Sequence, residues 1–234
     1  MRDYKVISVD MFQTLVDVSS RRHEVFKRIL EDLYNKELAE ECWEEANKIL
    51  SSCLKKYVTQ STSFYTIKSV FESCYQELFP QKGIKLDPKK GAEILANEHG
   101  YANSYLDTEV FMDAVKKHYP VCLVSDTDYD MVYPLLDRFQ FDKVFLSEEF
   151  QCYKNSQQKS VFEDVLSYYK VQPSEIIHIG DSIADVAGAK SFGITTCWLN
   201  RNGNEWIYDI KPDYIASSLI EVAKLIGIEV ENIA

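Results

Sequence analysis

Ile176-Ile177-His178-Ile179-Gly180-Asp181-Ser182-Ile183-Ala184-Asp185 is the stretch on which the fold turns. Its first half is a short apolar run rich in β-branched residues, the pattern of a strand buried on both faces of a parallel sheet. From about residue 184 to 192 the spacing becomes helical. A strand that runs into a helix, with carboxylates at the junction, is one βα unit, and the chain after Asp107 repeats it. Residues 121–124, 144–146 and 195–199 read as further strands, with helices at about 109–118, 131–139 and 160–169. Strands alternating with helices of this length predict a parallel sheet covered on both sides. The run Val6-Ile7-Ser8-Val9, ending at Asp10, supplies one more strand near the N-terminus.

Between these parts the pattern changes. Val25, Phe26, Ile29, Leu30 and Leu33 recur at helical spacing, as do Val70, Phe71, Cys74, Tyr75 and Leu78, while strand signals are almost absent. The expected fold class is α/β: a doubly wound, Rossmann-like parallel-sheet core formed by residues 1–17 and 106–234, interrupted by a helical domain at 18–105. Ligands of such sheets lie beyond the carboxyl ends of the strands. Those ends carry Asp10, Ser125, Asp181 and Asp185, with Lys154 in a connection between them. Each acid alone reads as a loop residue or helix cap. Together they make a site for an anion and a metal.

The chemistry that uses such a set is transfer of an anionic group to a carboxylate, followed by hydrolysis of the aspartyl intermediate. A hard cation held by Asp10, Asp181 and Asp185 would offset the repulsion between nucleophile and substrate. Lys154 would neutralise Asp10, and the Ser125 hydroxyl would donate to the group in transfer.

These residues resemble the haloacid dehalogenase (HAD) superfamily. The resemblance rests on Asp10-Met11-Phe12-Gln13-Thr14-Leu15-Val16-Asp17, on Val121-Cys122-Leu123-Val124-Ser125-Asp126, on His178-Ile179-Gly180-Asp181-Ser182-Ile183-Ala184-Asp185, and on the stretch from Val186 to Arg201. It implies a hydrolase with Asp10 as nucleophile, Ser125 and Lys154 assisting, Mg2+ as cofactor, and a helical cap that selects a small phosphorylated substrate.

Four departures qualify that implication. Phe12 stands where the family's phosphatases carry a second aspartate that handles the leaving-group proton, and a phenyl ring transfers no proton. The family's dehalogenases lack that acid as well, so a metal-free 2-haloacid dehalogenase is the alternative activity, and a protein that binds ligand or partner without turnover is a third. The carboxylates Asp181 and Asp185 favour the metal-dependent phosphatase, since unit charges about 4 Å apart at an effective dielectric of 20 repel by about 4 kcal/mol. Gln13 replaces the usual glycine and either shapes the turn or offers an amide to substrate. Lys154 is followed by Asn155 rather than proline, which leaves Lys159 as an alternative lysine. Asp126 adds a carboxylate, as a helix cap or as part of the site. Phe12, Gln13, Asp126 and Arg22 are the candidate substrate-binding residues. Arg22 belongs to the charged cluster Arg21-Arg22-His23, which reads equally as a solvated face.

Composition sets the outer bounds. With 46% hydrophobic and 27% charged residues among 234, the chain is expected to fold throughout. A net charge of -11 opposes attraction to nucleic acid or to anionic membranes. Six scattered cysteines without metal-site spacing read as reduced thiols. No apolar run reaches the roughly 20 residues that span a bilayer, and the cytoplasm is the expected location. Oligomeric state is not legible.

Overall fold

The computed structural model describes residues 3–156 and 159–230. The chain divides into two compact units: Met1–Asp17, Ser104–Asp126 and Leu136–Ala234 in one, Val18–Asn103 and Thr127–Leu135 in the other.

The first unit is built on a six-stranded parallel sheet. Its strands in chain order are β1 (Val6–Val9), β2 (Val121–Ser125), β3 (Lys143–Leu146), β4 (Ile176–Gly180), β5 (Thr195–Leu199) and β6 (Tyr214–Ala216). In space they run β3-β2-β1-β4-β5-β6, every neighbouring pair parallel. The order reverses at β1, so the switch point lies beside Asp10. β1, β2, β4 and β5 are buried at every position, which is why they read as continuous apolar runs rather than alternations. Register is regular: Val9 lies opposite Leu123 on one side and Ile179 on the other. The strand ends are thereby level, and the residues that follow them share one rim. Edge strand β6 and the helix Leu219–Leu225 behind it escape sequence reading, because β6 has three residues of mixed exposure.

The second unit is helical. It contains α1 (Arg22–Leu30), α2 (Lys36–Leu54), α3 (Ile67–Lys82) and α4 (Pro88–His99). Val25, Phe26, Ile29 and Leu30 are buried as the periodicity predicts. Leu33 is a correction: α1 stops at Leu30, Glu31 turns left-handed at φ 49, and Leu33 is 54% exposed. Starts are capped by Asn35, Thr66 and Asp87, each accepting a backbone N–H. Gly91 lets α4 approach α3 closely, since a methyl there would meet the Phe79 ring at 2.6 Å, in the stacked Tyr75–Phe79 pair. Thr127–Leu135 clusters with this unit rather than with the sheet. The fully buried Asp128 carboxylate accepts the N–H groups of Ile67 and Lys68 at 2.9 and 2.7 Å, a cap on α3 supplied from a distant segment.

All six cysteines are buried and unpaired. No helix among the described residues is long and apolar enough to cross a membrane.

Candidate active site

β1 carries Asp10 to the rim, where its backbone N–H still pairs with Ile179 at 2.9 Å. The side chain is 5% exposed. Its Oδ1 accepts from the Ser125 hydroxyl and from Lys154 Nζ, both at 2.8 Å. Among the described residues Oδ2 has no partner. Ser125 is the last residue of β2, and Lys154 enters from the connection after β3.

Asp185 lies one helical turn into the helix Ile183–Ser191, three residues after the N-cap Ser182. The two form a reciprocal capping box. Asp185 Oδ2 accepts from Ser182 N and Oγ at 3.0 and 2.6 Å. Its Oδ1 accepts from Lys154 Nζ at 2.5 Å and pairs with His178 Nε2 at 2.9 Å. His178 faces Ser8 Oγ through Nδ1 at 2.8 Å. With Nε2 carrying the proton to Asp185, Nδ1 accepts from the Ser8 hydroxyl, an assignment made from the network. Asp185 thus takes four protein donors.

Asp181 differs. It is partly exposed, and its one side-chain donor among the described residues is the Thr14 hydroxyl at 3.3 Å. One carboxylate oxygen each from Asp10, Asp181 and Asp185 lie within 4.8 Å of one another.

The electrostatics follow from these contacts. Burial pushes Asp181 well above the ordinary carboxylate range, and the charges of Asp185 and Asp10 push the same way. Burial also pushes Asp10 up; Lys154 pulls against it and Asp185 adds to the push, with a net rise. Burial works to raise Asp185 too, but Lys154 and His178 outweigh it and hold this group below the usual range. For Lys154 burial favours the neutral amine, yet Asp10, Asp185 and Asp126 together keep it charged and raise it. One ammonium among several carboxylates leaves an excess of negative charge centred on Asp10 and Asp181. Oxygen donors of this kind suit a hard divalent cation, and among the described residues Asp10 Oδ2 and the Asp181 carboxylate are the least satisfied of them.

Two glycines make the cluster possible. A methyl on Gly180 would land on the Asp185 carboxylate, and one on Gly188 would strike the Lys154 carbonyl. Either contact is too short to be tolerated, so the Asp185 carboxylate in one case and the Lys154 backbone in the other would have to shift. The Lys154 loop is fastened from its other side as well. Ser160 Oγ donates to Lys154 O at 2.6 Å, and Lys154 N donates to Asp126 Oδ1 at 2.8 Å.

The sequence candidates therefore separate. Asp10, Ser125, Lys154, Asp181 and Asp185 come together. Lys159 does not join them: its ammonium is 49% exposed and pairs with Asp164 at 3.1 Å. Asp126 neither caps the helix that follows nor stands free, but anchors the lysine loop; burial, opposed by Lys154, pushes it up to about 6. Phe12 is half-buried and bridges to Val16. Gln13 holds φ at 60, and its Oε1 accepts from the Tyr105 hydroxyl at 2.8 Å. Arg22 belongs to the helical unit, with its guanidinium on Glu40 at 2.8 Å and on the Ser19 carbonyl at 3.0 Å.

Sequence reading missed His178, Ser182 and Thr14. The polar His178 inside an apolar strand was a visible signal. The other two had none beyond adjacency to an aspartate.

The haloacid dehalogenase-like hydrolase family matches residues 4–193 of this chain. The chain belongs to the haloacid dehalogenase-like hydrolases. A curated relative, glyceraldehyde 3-phosphate phosphatase of Pyrococcus furiosus, is 23% identical over 239 residues, covering 97% of this HAD-like hydrolase and 94% of the relative. Another, (S)-2-haloacid dehalogenase 4A of Burkholderia cepacia, is 24% identical over 163 residues, covering 67% of this chain and 70% of that one. Among solved structures, Bacillus subtilis YfnB bound to magnesium superposes with a TM-score of 0.82 at 16% identity, covering 96% of this chain and 99% of its own. This chain shares its fold with YfnB, and the curated relatives include both a phosphatase and a dehalogenase.

Proposed function

We propose that this HAD-like hydrolase is a magnesium-dependent phosphatase acting on a small phosphorylated metabolite through Asp10. The observation that carries this reading is the meeting of one carboxylate oxygen each from Asp10, Asp181 and Asp185 within 4.8 Å; burial raises both Asp10 and Asp181, and the charge of Asp185 adds to the push on each. Metal-free turnover of an anionic substrate would bring a further negative charge to this cluster with Lys154 as its one ammonium. A bound divalent cation supplies the missing positive charge and a Lewis-acid contact to the substrate's oxygens.

The chain's own residues then have defined work. Lys154 favours the ionised form of Asp10 against the push of burial, and Ser125 fixes the orientation of its carboxylate through Oδ1. Oδ2, without a donor among the described residues, would be the oxygen left for the electrophile or a cation. Attack by Asp10 on phosphorus breaks the P–O ester bond and leaves an aspartyl phosphate, the departing oxygen leaving as an anion or taking its proton from solvent, and water then hydrolyses the intermediate to regenerate the carboxylate and inorganic phosphate. Asp185, with four donors, holds Lys154 in place; with Asp10 and Asp181 it would hold a cation, and its oxygen would do so only by giving up one of those donors. Phe12 transfers no proton, so substrates whose leaving groups need none are favoured. The helical unit is the part of the chain to which we assign substrate selection.

A second reading is dehalogenation of a 2-halo acid by the same nucleophile. It is favoured by Phe12, because a halide leaves without protonation, and by the dehalogenase among the relatives. The deciding experiment is phosphate release from p-nitrophenyl phosphate and a panel of phosphomonoesters, with magnesium or with chelator, and with Asp10→Asn as the blank. Magnesium-dependent release is the expected result. Chelator-insensitive halide release from 2-chloropropionate, with no phosphate release, would replace this reading by the second.

A further inference from the structure

Gln13 occupies a backbone conformation that its side chain makes unfavourable. Its φ of 60 is left-handed, a region that costs a residue bearing a Cβ and costs glycine nothing. The turn is fixed by its neighbours: Gln13 N donates to Val16 O at 2.7 Å and Leu15 N to Met11 O at 2.8 Å. A glutamine retained in such a turn, three residues after the nucleophile, points to a use for the side chain.

What surrounds that side chain is built. Tyr105 donates its hydroxyl proton to Gln13 Oε1 at 2.8 Å. The Arg201 guanidinium lies 3.9 Å from the Tyr105 ring centroid, a close cation–π contact. Arg201 is in turn fixed by both oxygens of Asp107, at 3.1 and 3.0 Å, and by the Thr14 carbonyl at 2.9 Å. Asp107 is itself buried and accepts Leu219 N at 2.7 Å. Asp107, Arg201 and Tyr105 form a chain of contacts that ends on one atom of Gln13, while among the described residues its Nε2 group has no partner. Thr14, the next residue, touches Asp181, so this chain of contacts reaches the edge of the carboxylate cluster.

We propose that Tyr105, held by Arg201, is a positioning residue that fixes the acceptor end of the Gln13 carboxamide so that its two Nε2 protons are offered to an oxygen of the bound anionic substrate. The proposal rests on the hydrolase acting through Asp10 as read above, and assigns its specificity to a neutral hydrogen-bond donor in an otherwise acidic rim.

The test is a double-mutant cycle on Tyr105→Phe and Gln13→Gly, read as KM and kcat on the best phosphomonoester and as Tm. Loss of one substrate hydrogen bond is expected to raise KM about tenfold in Gln13→Gly, with kcat changing less. The same variant is expected to be more heat-stable by about 2 °C, because glycine relieves the left-handed turn. Tyr105→Phe is expected to raise KM by about threefold in the wild-type background and to add nothing in the Gln13→Gly background, the non-additivity of a shared effect. Gln13→Glu, which keeps the Tyr105 bond and loses the donor, is expected to behave like Gln13→Gly in KM.

An unchanged KM in Gln13→Gly, or Tyr105→Phe effects on KM that are equal in both backgrounds, would overturn the proposal; so would a Tyr105→Phe protein that loses Tm while keeping its KM. The two readings fail separately. A wild type that releases chloride from 2-chloropropionate but no phosphate ends the phosphatase reading, and the same cycle is then decided on that substrate. A wild type inert to both ends both.

Discussion

Two regions next to Asp10 are built on opposite principles. In one, Lys154, Asp185, His178 and Ser182 close a network in which Asp185 takes four donors and lies 1% exposed. In the other, Asp181 is partly exposed and has a single hydroxyl at 3.3 Å, with Gln13 and Tyr105 beyond it. Two aspartates four residues apart are thereby pushed in opposite directions, Asp185 down and Asp181 up. The comparison teaches that a cluster of like charges is tolerated when one member is neutralised from within the protein and another is left for something that binds. The closed region fixes Lys154 and Asp185 against Asp10; the open one leaves Asp181 with a single long hydrogen bond from a side chain among the described residues.

The largest expected effect concerns the residue shared by both regions. Asp10→Asn keeps the shape and removes the proposed nucleophile, and turnover should fall by about 10⁴-fold or more in phosphate-release assays. Residual activity within about tenfold of the wild type would mean that neither region serves this carboxylate.

Next, Lys154→Met keeps the aliphatic stem and removes the ammonium, leaving Asp10 and Asp185 unpaired. Breaking a buried pair from one side costs about 3–5 kcal/mol, read from the urea midpoint. A loss below about 1 kcal/mol would show that the closed region is not held by its charges.

Gly188→Ala probes the same region without touching a charge. The added methyl meets the Lys154 carbonyl, and overpacking of this kind costs about 1–3 kcal/mol. Activity should fall with stability, since the lysine moves with its backbone.

The smallest effect belongs to the open region and has the opposite sign. The Asp181 pKa is raised in the fold, so its contribution to stability is lost as pH rises from the ordinary carboxylate range through that raised value. With metal chelated, Asp181→Asn should therefore be more stable than the wild type at pH 8, by about 1 kcal/mol, and about equal to it at pH 3. Magnesium should stabilise the wild type and not the variant. Asp185 runs the other way. Its lowered pKa contributes stability that is present above the ordinary range and lost only as pH falls from there toward the lowered value, so Asp185→Asn should destabilise at pH 8 and still destabilise, by somewhat less, at pH 3. Urea unfolding of both variants at the two values would sharpen the contrast, and equal responses would erase it.

Much of this was legible before any coordinates. β1, β2, β4 and β5 announce themselves because a strand buried on both faces has no solvent-facing positions to impose a polar alternation, and its few polar residues, such as Ser8 and His178, are buried with the rest. Asp10, Ser125 and Asp181 follow because each ends or directly follows such a strand. What stayed illegible depends on contacts across long separations. Lys154 and Lys159 differ only in which one the Gly188 gap, Ser160 and the Asp126 carboxylate draw toward Asp10. Leu33 keeps its place in the helical spacing but not its burial, because α1 has already ended.

By itself, then, the order of residues determined the α/β class, the βα punctuation and the inventory of acids at the strand ends. These depend on local periodicity and on residues within a few positions of one another. Only the tertiary structure decided that Asp185 is saturated while Asp181 is not, that Lys154 is the lysine of the cluster, that Asp128 caps a helix some 60 positions earlier, and that Gln13 is clamped from Tyr105. Each of these is a hydrogen bond or charge contact between segments far apart in the chain. Its energy depends on distances of a few tenths of an ångström that packing sets and spacing does not.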